Sequence, residues 1–381
     1  MKICLLNVLH DALDKRMYHK IARSLIDAGH EVVSIAPGAE EATKTLDKTG
    51  GVRFIPIPAA HSFAGRLVSV ARLVRLGRRQ RAEVYIAPEP ESWVAALLIK
   101  LTAGGKVVLD MHEHIPSEFA KFFPRFLRAG VSWTTVRFMR LFARFTDLIL
   151  LTRGSFDDFW TGLSTPRATV INTNHLQPRC LEIPDVLRER YAGPPTLIHQ
   201  GIFGDIRGSY QLLEAMKRTA AVVPDVQCIV LGKYAYGDEQ AYRDAIREAG
   251  LEEVISMIDA VPYAEVPAYI AVSRIGLILF QPGLPNHTLA MPHKLFDYMR
   301  EAKPVIAPAF SLEVARIVRE ADCGILVDVT SPEAIADAML DLLGDPGKAE
   351  RLGENGRRLV EEKYNWQQDE KRLLDAIDRI G

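Results

Sequence analysis

The chain alternates short, almost wholly apolar runs with segments patterned as helices, and that alternation restricts its fold more than any other feature. Lys2–Val8 reads as a buried strand. Met17–Ala28 follows with apolar residues at helical spacing (Met17, Ile21, Leu25, Ala28), and Gly29 stops it before a second strand, Glu31–Ala36. A strand, a helix and a strand in that order imply a parallel sheet. The cycle continues through strands at Val52–Ile57, Val84–Ala87, Lys106–Asp110, Leu148–Thr152 and Thr169–Asn172, with a helix over Ser92–Leu101.

Cys180–Pro195, with three prolines and mixed charge, reads as a linker. Thr196–Gln200 restarts the cycle. Strands follow at Gln227–Gly232, Val254–Ile258, Ile275–Phe280 and Ile325–Val327, with helices at Tyr210–Ala221, Gln240–Ala249, Val266–Val272, Pro332–Leu343 and Lys348–Ile380. The expected class is α/β, with parallel-sheet domains over 1–182 and 196–357. The last segment, 358–381, is a helix expected to pack back towards the first domain. Two such domains facing each other hold ligand in the cleft at the carboxyl ends of their strands.

At 381 residues each domain can bury its own core, and 48% hydrophobic with 25% charged residues describes a soluble globular protein. The formal charge of −1 conceals an asymmetry: residues 1–178 carry 24 Lys+Arg against 16 Asp+Glu, the remainder 23 against 32. Four scattered cysteines give neither a disulfide framework nor metal spacing, which points to a reducing cytoplasm. No signal peptide is expected, and Val131–Leu151 is too interrupted by arginines to span a bilayer.

Residues 61–81 contain six arginines and no acid; residues 119–145 contain six cations, no acid, seven phenylalanines and Trp133. Such basic, aromatic segments suit the surface of an anionic membrane, which would place the protein peripherally on its inner face. No nucleic-acid-binding signature is present.

The stretch Pro285–Pro308, PNHTLAMPHKLFDYMREAKPVIAP, reads as a Pro-rich loop, a short helix opening at Pro292 and a buried strand beginning at Pro304. A helix N-terminus with Lys294 beside it attracts phosphate. His199–Gly208 follows the first strand of the second domain. There Gly201 and Gly204 allow close backbone approach, and Arg207 offers a forked cation for phosphate oxygens.

The blocks QGIFGDIRGSYQLLEAM, IVLGK, VPYAEVPAYIAVSRIGLILFQPG and PHKLFDYMREAKPVIAP resemble, in order, those of glycosyltransferase family 4, of the GT-B fold, built from two Rossmann-like domains. DALDKRMYHKIARSLIDAGHEVVSIAP and VVLDMHEHIPSEF resemble its first-domain blocks. The resemblance implies a retaining transfer of sugar from a nucleotide-sugar donor to a sugar or lipid-linked acceptor hydroxyl, in cell-envelope polysaccharide or glycolipid synthesis. It implies donor contacts at Gly201, Arg207, Val261, His293, Lys294 and Asp297, with Asp297 on the ribose diol. It places His112 beside the donor sugar; His10, Asp11 and Arg16 sit in the loop after the first strand, a usual place for acceptor contacts, and Glu113 is a further acceptor-side candidate. The family's first motif glutamate falls at Leu289, a departure, since leucine cannot hydrogen-bond a sugar. Asn286, His287 and His293 are the nearby substitutes.

Asp-x-Asp is absent, so no metal and no cofactor are expected, the diphosphate's charge being met by Arg207, Lys294 and a helix N-terminus. Two other classes stay open: a GT-B-like nucleotide-sugar isomerase, and a non-catalytic nucleotide-sugar-binding scaffold, for which Leu289 is the best argument.

Overall fold

The computed structural model describes residues 1–40, 51–60, 62–112, 114–120, 123–180 and 182–381. The chain forms two compact units: Met1–Asn172 together with Trp366–Gly381, and Thr173–Asn365.

In the first unit, β1 (Lys2–Leu6), β2 (Glu31–Ala36), β3 (Val52–Pro56), β4 (Val84–Ala87), β5 (Lys106–Met111), β6 (Leu148–Leu151) and β7 (Arg167–Thr169) form one sheet. Their order is β3-β2-β1-β4-β5-β6-β7, and every pairing is parallel. Helices cover a parallel sheet on both faces, so its inner strands are apolar throughout. In β1, Ile3, Cys4, Leu5 and Leu6 are all buried.

The helix after β1 opens with a π-helical stretch, Met17–Ala22, in which the Ile21 amide reaches the Arg16 carbonyl at 2.9 Å. The last helix of the chain, Trp366–Asp378, completes this unit. The Trp366 indole N–H donates to Ser24 Oγ at 3.0 Å, and Leu373, Ala376 and Ile377 join the core around Leu25 and Ile21.

In the second unit, β8 (Thr196–Gln200), β9 (Gln227–Leu231), β10 (Ile255–Ile258), β11 (Ile275–Leu277), β12 (Val305–Pro308) and β13 (Gly324–Val327) run in the order β10-β9-β8-β11-β12-β13, again all parallel. Both sheets therefore share one topology. The strand order reverses between β1 and β4 in one unit and between β8 and β11 in the other, and the crevice outside such a point is where open parallel sheets bind ligands.

Several segments differ from expectation, among them the Pro-rich loop, where Pro285–Thr288 forms a helical turn. The linker reading at Cys180–Pro195 contains a helix, Asp185–Tyr191, anchored by buried Leu187 and Tyr191. A helix at Leu312–Ala321 was not foreseen. The run 348–380 is two helices, Pro346–Glu362 and Trp366–Asp378. The Asn365 side-chain amide ends the first by donating to the carbonyls of Val360 and Glu361 at 2.7 and 3.0 Å.

Candidate functional site

In the second unit the chain leaves β8 through Gly201, Gly204 and Gly208, all at positive φ, and enters the helix Ser209–Val222. Gly204, expected to admit a ligand, instead admits the protein's own backbone. At φ +138°, a Cβ there would lie 1.8 Å from the Ala235 carbonyl oxygen. Gly201 is the open one, with Lys294 Cε 3.8 Å from where its Cβ would be.

Lys294 lies in the first turn of the helix His293–Arg300, which follows β11. Tyr298 holds that helix down: its hydroxyl accepts from the Gln200 amide at 2.9 Å and donates to the Ile198 carbonyl at 3.1 Å. The Lys294 ammonium thereby comes within 2.9 Å of Nε2 of His199, a buried residue of β8. Burial, and then the charges of Lys294 and Arg207, hold His199 well below the usual imidazole range. Burial, and then Arg207, bring Lys294 down to about 7.

Neither Lys294 nor Arg207 is paired with a carboxylate among the described residues, and the buried Nε–H of Arg207 has no hydrogen-bond partner there. Lys294 beside the open Gly201 backbone, with Arg207 near enough to act on its charge and neither in an ion pair with a carboxylate among the described residues, gathers positive charge at the reversal point of the sheet, which is what an anion site needs.

Asp297 is 1% exposed and is the centre of a polar knot. Its Oδ1 accepts from the Tyr263 hydroxyl at 2.6 Å and from Asn174 at 2.7 Å, and its Oδ2 from Gln200 at 2.9 Å. A ribose diol would compete with Tyr263, Asn174 or Gln200 for this carboxylate. Asn174, Gln200 and Tyr263 were not singled out from the sequence, because their meeting point is set by the fold. Val261, after β10, and His293 are both partly buried. His287 is buried, with Nδ1 2.6 Å from the Gln281 carbonyl.

The first unit places a second cluster at its own reversal point. Arg16 is 2% exposed, and its guanidinium forks onto Asp110 at 2.9 and 2.7 Å. Expected as an acceptor contact, Arg16 is thus chiefly engaged with Asp110. Burial raises the Asp110 pKa, but Arg16 and then His112 outweigh it and hold the carboxyl well below the usual range. His112 bonds Asp110 through Nε2, and its ring stands edge-on to His10 with centroids 5.1 Å apart. Asp11 lies over the turn at Gly38, its Oδ1 accepting from the Leu13 amide at 3.1 Å. Glu113 lies outside the described residues.

Glu89, missed in the sequence, is the buried residue that caps the helix Pro90–Ala103. It accepts from His10 Nδ1 at 2.7 Å. The signal was present: a glutamate before proline, with Ser92 three residues on, is the pattern of a reciprocal cap.

Most of the two basic stretches forms helices of the first unit, Phe63–Gln80 and Arg128–Ala143. The outward face of the second carries Trp133, Phe138 and Leu141, with exposed Phe126 before it and Phe145 after it. Arg128, Arg137 and Arg144 are exposed along the same helix and its end. Leu98 and Leu101 of the helix Pro90–Ala103 are exposed as well. An open groove of about 1230 Å³ beside them is lined by Leu67, Val70, Val74, Leu98, Arg75 and Arg78, among others. Among the described residues no helix is long and apolar enough to cross a membrane.

Residues 189–359 match the family model of glycosyl transferases group 1, and residues 15–171 match that of the glycosyl transferase 4-like domain. Spore coat protein SA of Bacillus subtilis is 24% identical over 192 residues, 49% of each chain. A GDP-mannose-dependent alpha-(1-6)-phosphatidylinositol monomannoside mannosyltransferase of Mycolicibacterium smegmatis is 24% identical over 196 residues, 50% of each. The chain thus spans about half the length of the curated relatives it matches. HepE of Anabaena, solved in complex with UDP, has the same fold, with a TM-score of 0.75, 16% identity and 100% of both chains covered. The two family models fall in order on the two parallel-sheet units, and the chain belongs to the GT-B glycosyltransferases, with a glycosyl transferase 4-like domain followed by a group 1 domain.

Proposed function

We propose that this protein transfers a hexose from a nucleotide-diphosphate sugar to an acceptor hydroxyl, with the donor on the second unit and the acceptor on the first. The observation that carries the reading is the pair Lys294 and Arg207, two cations in no ion pair with a carboxylate among the described residues, the first beside Gly201 and the second near enough to act on its charge. A diphosphate supplies the missing counter-charge, and as a leaving group it gains charge when the glycosidic bond breaks. Cations already in place favour that charge without reorganising. In this reading the protein itself neutralises the diphosphate, and neither metal nor cofactor is required.

Gly201, Val261 and His293 are further donor contacts, Asp297 takes the ribose once Tyr263 or Asn174 gives way, and His112 approaches the donor sugar. Transfer proceeds with retention, as the family resemblance implies. The M. smegmatis relative's lipid acceptor and the UDP in HepE support a membrane-borne glycolipid or polysaccharide acceptor and a nucleotide-sugar donor. The basic, aromatic helices at 63–80 and 128–143 would bring the enzyme to an anionic membrane from its cytoplasmic side.

The test is incubation with a panel of UDP-, GDP- and dTDP-sugars, following nucleotide release with and without EDTA and with candidate acceptors. Slow hydrolysis or transfer insensitive to EDTA is expected. Binding without turnover would instead mark a scaffold, donor interconversion without an acceptor an isomerase, and EDTA-sensitive release would overturn the metal-free route.

A further inference from the structure

In the second unit one residue ties the loop after β11 to the turn after β8. The Gln281 amide donates to the Ile206 carbonyl at 2.9 Å, and the Gln281 carbonyl lies 2.6 Å from Nδ1 of His287. Arg207 follows Ile206 in the chain, so the same tie brings His287 near enough to Arg207 to feel its charge. The imidazole packs on Phe280 with centroids 5.1 Å apart, and Phe310 stands edge-on to Phe280 at 6.0 Å. The turn Pro285–Thr288 holds the backbone, the His287 amide donating to the Leu284 carbonyl at 2.8 Å.

A carbonyl oxygen only accepts, so Nδ1 carries the proton and the lone pair of the neutral ring sits on Nε2. His287 is 4% exposed; its Nε2 has no hydrogen-bond partner among the described residues, yet that atom keeps contact with solvent. Burial, with Arg207 adding to it, outweighs the pull of the Gln281 carbonyl and holds the pKa of His287 below the ordinary imidazole value. The open nitrogen therefore accepts and does not donate, which selects its partner. The ionised oxygens of a diphosphate have no proton to offer, whereas a hydroxyl has one. A hexose brings several hydroxyls and is bonded to the group that Arg207 attracts. A purely structural role accounts for Nδ1 and for the packing on Phe280, but it leaves Nε2 unused.

We propose that Nε2 of His287 accepts a hydrogen bond from a hydroxyl of the donor hexose. The inference rests on the sugar-transfer reading and adds to it a contact with the sugar itself. Leu289, two residues on, has no polar side-chain atom to compete for that hydroxyl.

The experiment uses the full chain and compares, by calorimetry, UDP, GDP and dTDP with UDP-glucose, GDP-mannose and dTDP-glucose. His287→Asn keeps a donor near the position of Nδ1 for the Gln281 carbonyl and places nothing at Nε2. In this variant the nucleotide sugar that binds the unaltered protein should bind about three- to tenfold more weakly, the range of one lost hydrogen bond. The affinity for the matching nucleotide should stay within about twofold. His287→Gln, whose amide reaches towards Nε2, should recover part of the loss. Equal weakening of nucleotide and nucleotide sugar would place the contact on phosphate or ribose and overturn the proposal, and so would unchanged affinities for both. If the unaltered protein binds none of these nucleotides, the sugar-transfer reading falls and the proposal with it. Should His287→Asn fail to melt cooperatively, the unaltered protein decides, isotope-labelled in its histidine nitrogens. A lone-pair nitrogen signal that moves with the nucleotide sugar but not with the nucleotide is expected, and identical spectra in the two complexes overturn the proposal.

Discussion

The ammonium of Lys294 donates to Nε2 of His199 across 2.9 Å, so a cation rests on a buried imidazole kept neutral by its surroundings. Lys294 is brought down to about 7 by burial and by Arg207, and a diphosphate placed beside it reverses the second cause. Nucleotide binding should therefore take up a proton above pH 7. Calorimetry of UDP binding at pH 8, in buffers of different ionisation enthalpy, should show uptake approaching one proton. Affinity should weaken as pH rises beyond 7, and Lys294→Met should abolish both the uptake and the pH dependence. Buffer-independent heats in the unaltered protein would sink the idea.

The same residue has an opposite effect on the empty fold. A lysine whose folded pKa lies below its unfolded value binds fewer protons when folded, so its contribution to stability rises with pH between about 7 and about 10.4. Lys294→Met should raise the melting temperature of the ligand-free protein at pH 6 and bring little change at pH 10. Equal shifts at both pH values would mean that packing, not charge, decides.

These effects could not be read from the sequence. Lys294 and Asp297 suggest a surface pair three residues apart, yet Lys294 turns to His199 and Asp297 to Asn174, Gln200 and Tyr263. The strands were legible because parallel strands buried on both faces are continuous apolar runs, as in β1 and β8. Glu89 was not, since its partners sit some eighty positions away and only the pairing of β1 with β4 brings them together. The short helix Asp185–Tyr191 escaped because three prolines around it outweighed two buried anchors.

Gly204 separates a fold requirement from a ligand requirement. Its φ of +138° and the 1.8 Å approach to the Ala235 oxygen leave no room for a side chain. Gly204→Ala should cost the fold about 1–3 kcal/mol from backbone strain alone, with the clash adding to it. Gly201→Ala, at φ +92°, carries backbone strain too but meets only the flexible end of Lys294, so it should lower the urea midpoint less than Gly204→Ala while weakening UDP binding. Equal midpoints for the two variants would contradict this assignment.

The ion pair of Arg16 with Asp110 is almost wholly buried. Removing one partner strands the other charge, and Asp110→Asn should destabilise the protein by about 3–5 kcal/mol. Arg16→Met combined with Asp110→Asn should recover part of that loss, which a double-mutant cycle in urea measures. The pKa of Asp110 is depressed in the folded state, so its contribution is complete above the unfolded value near about 4 and is lost as pH falls through the folded one. Additive single effects would show that the two residues act separately.

The helix Arg128–Ala143 presents to solvent what most helices bury. Trp133 is 61% exposed, Phe138 56% and Leu141 44%, with Arg137 stacked on the Trp133 ring at 4.4 Å. Aromatic rings favour the boundary between headgroups and acyl chains, and arginines around them favour anionic headgroups. The protein should therefore sediment with vesicles containing phosphatidylglycerol and not with phosphatidylcholine alone, and 0.5 M salt should release much of it. Trp133→Ser with Phe138→Ser should abolish binding that persists at high salt while leaving the melting temperature nearly unchanged, because neither side chain belongs to the core. Replacing Arg137 and Arg144 by Gln should instead remove the salt-sensitive part. If the aromatic variant sediments like the unaltered protein while dimerisation seen by light scattering disappears, that face joins two copies of the chain and does not meet a membrane.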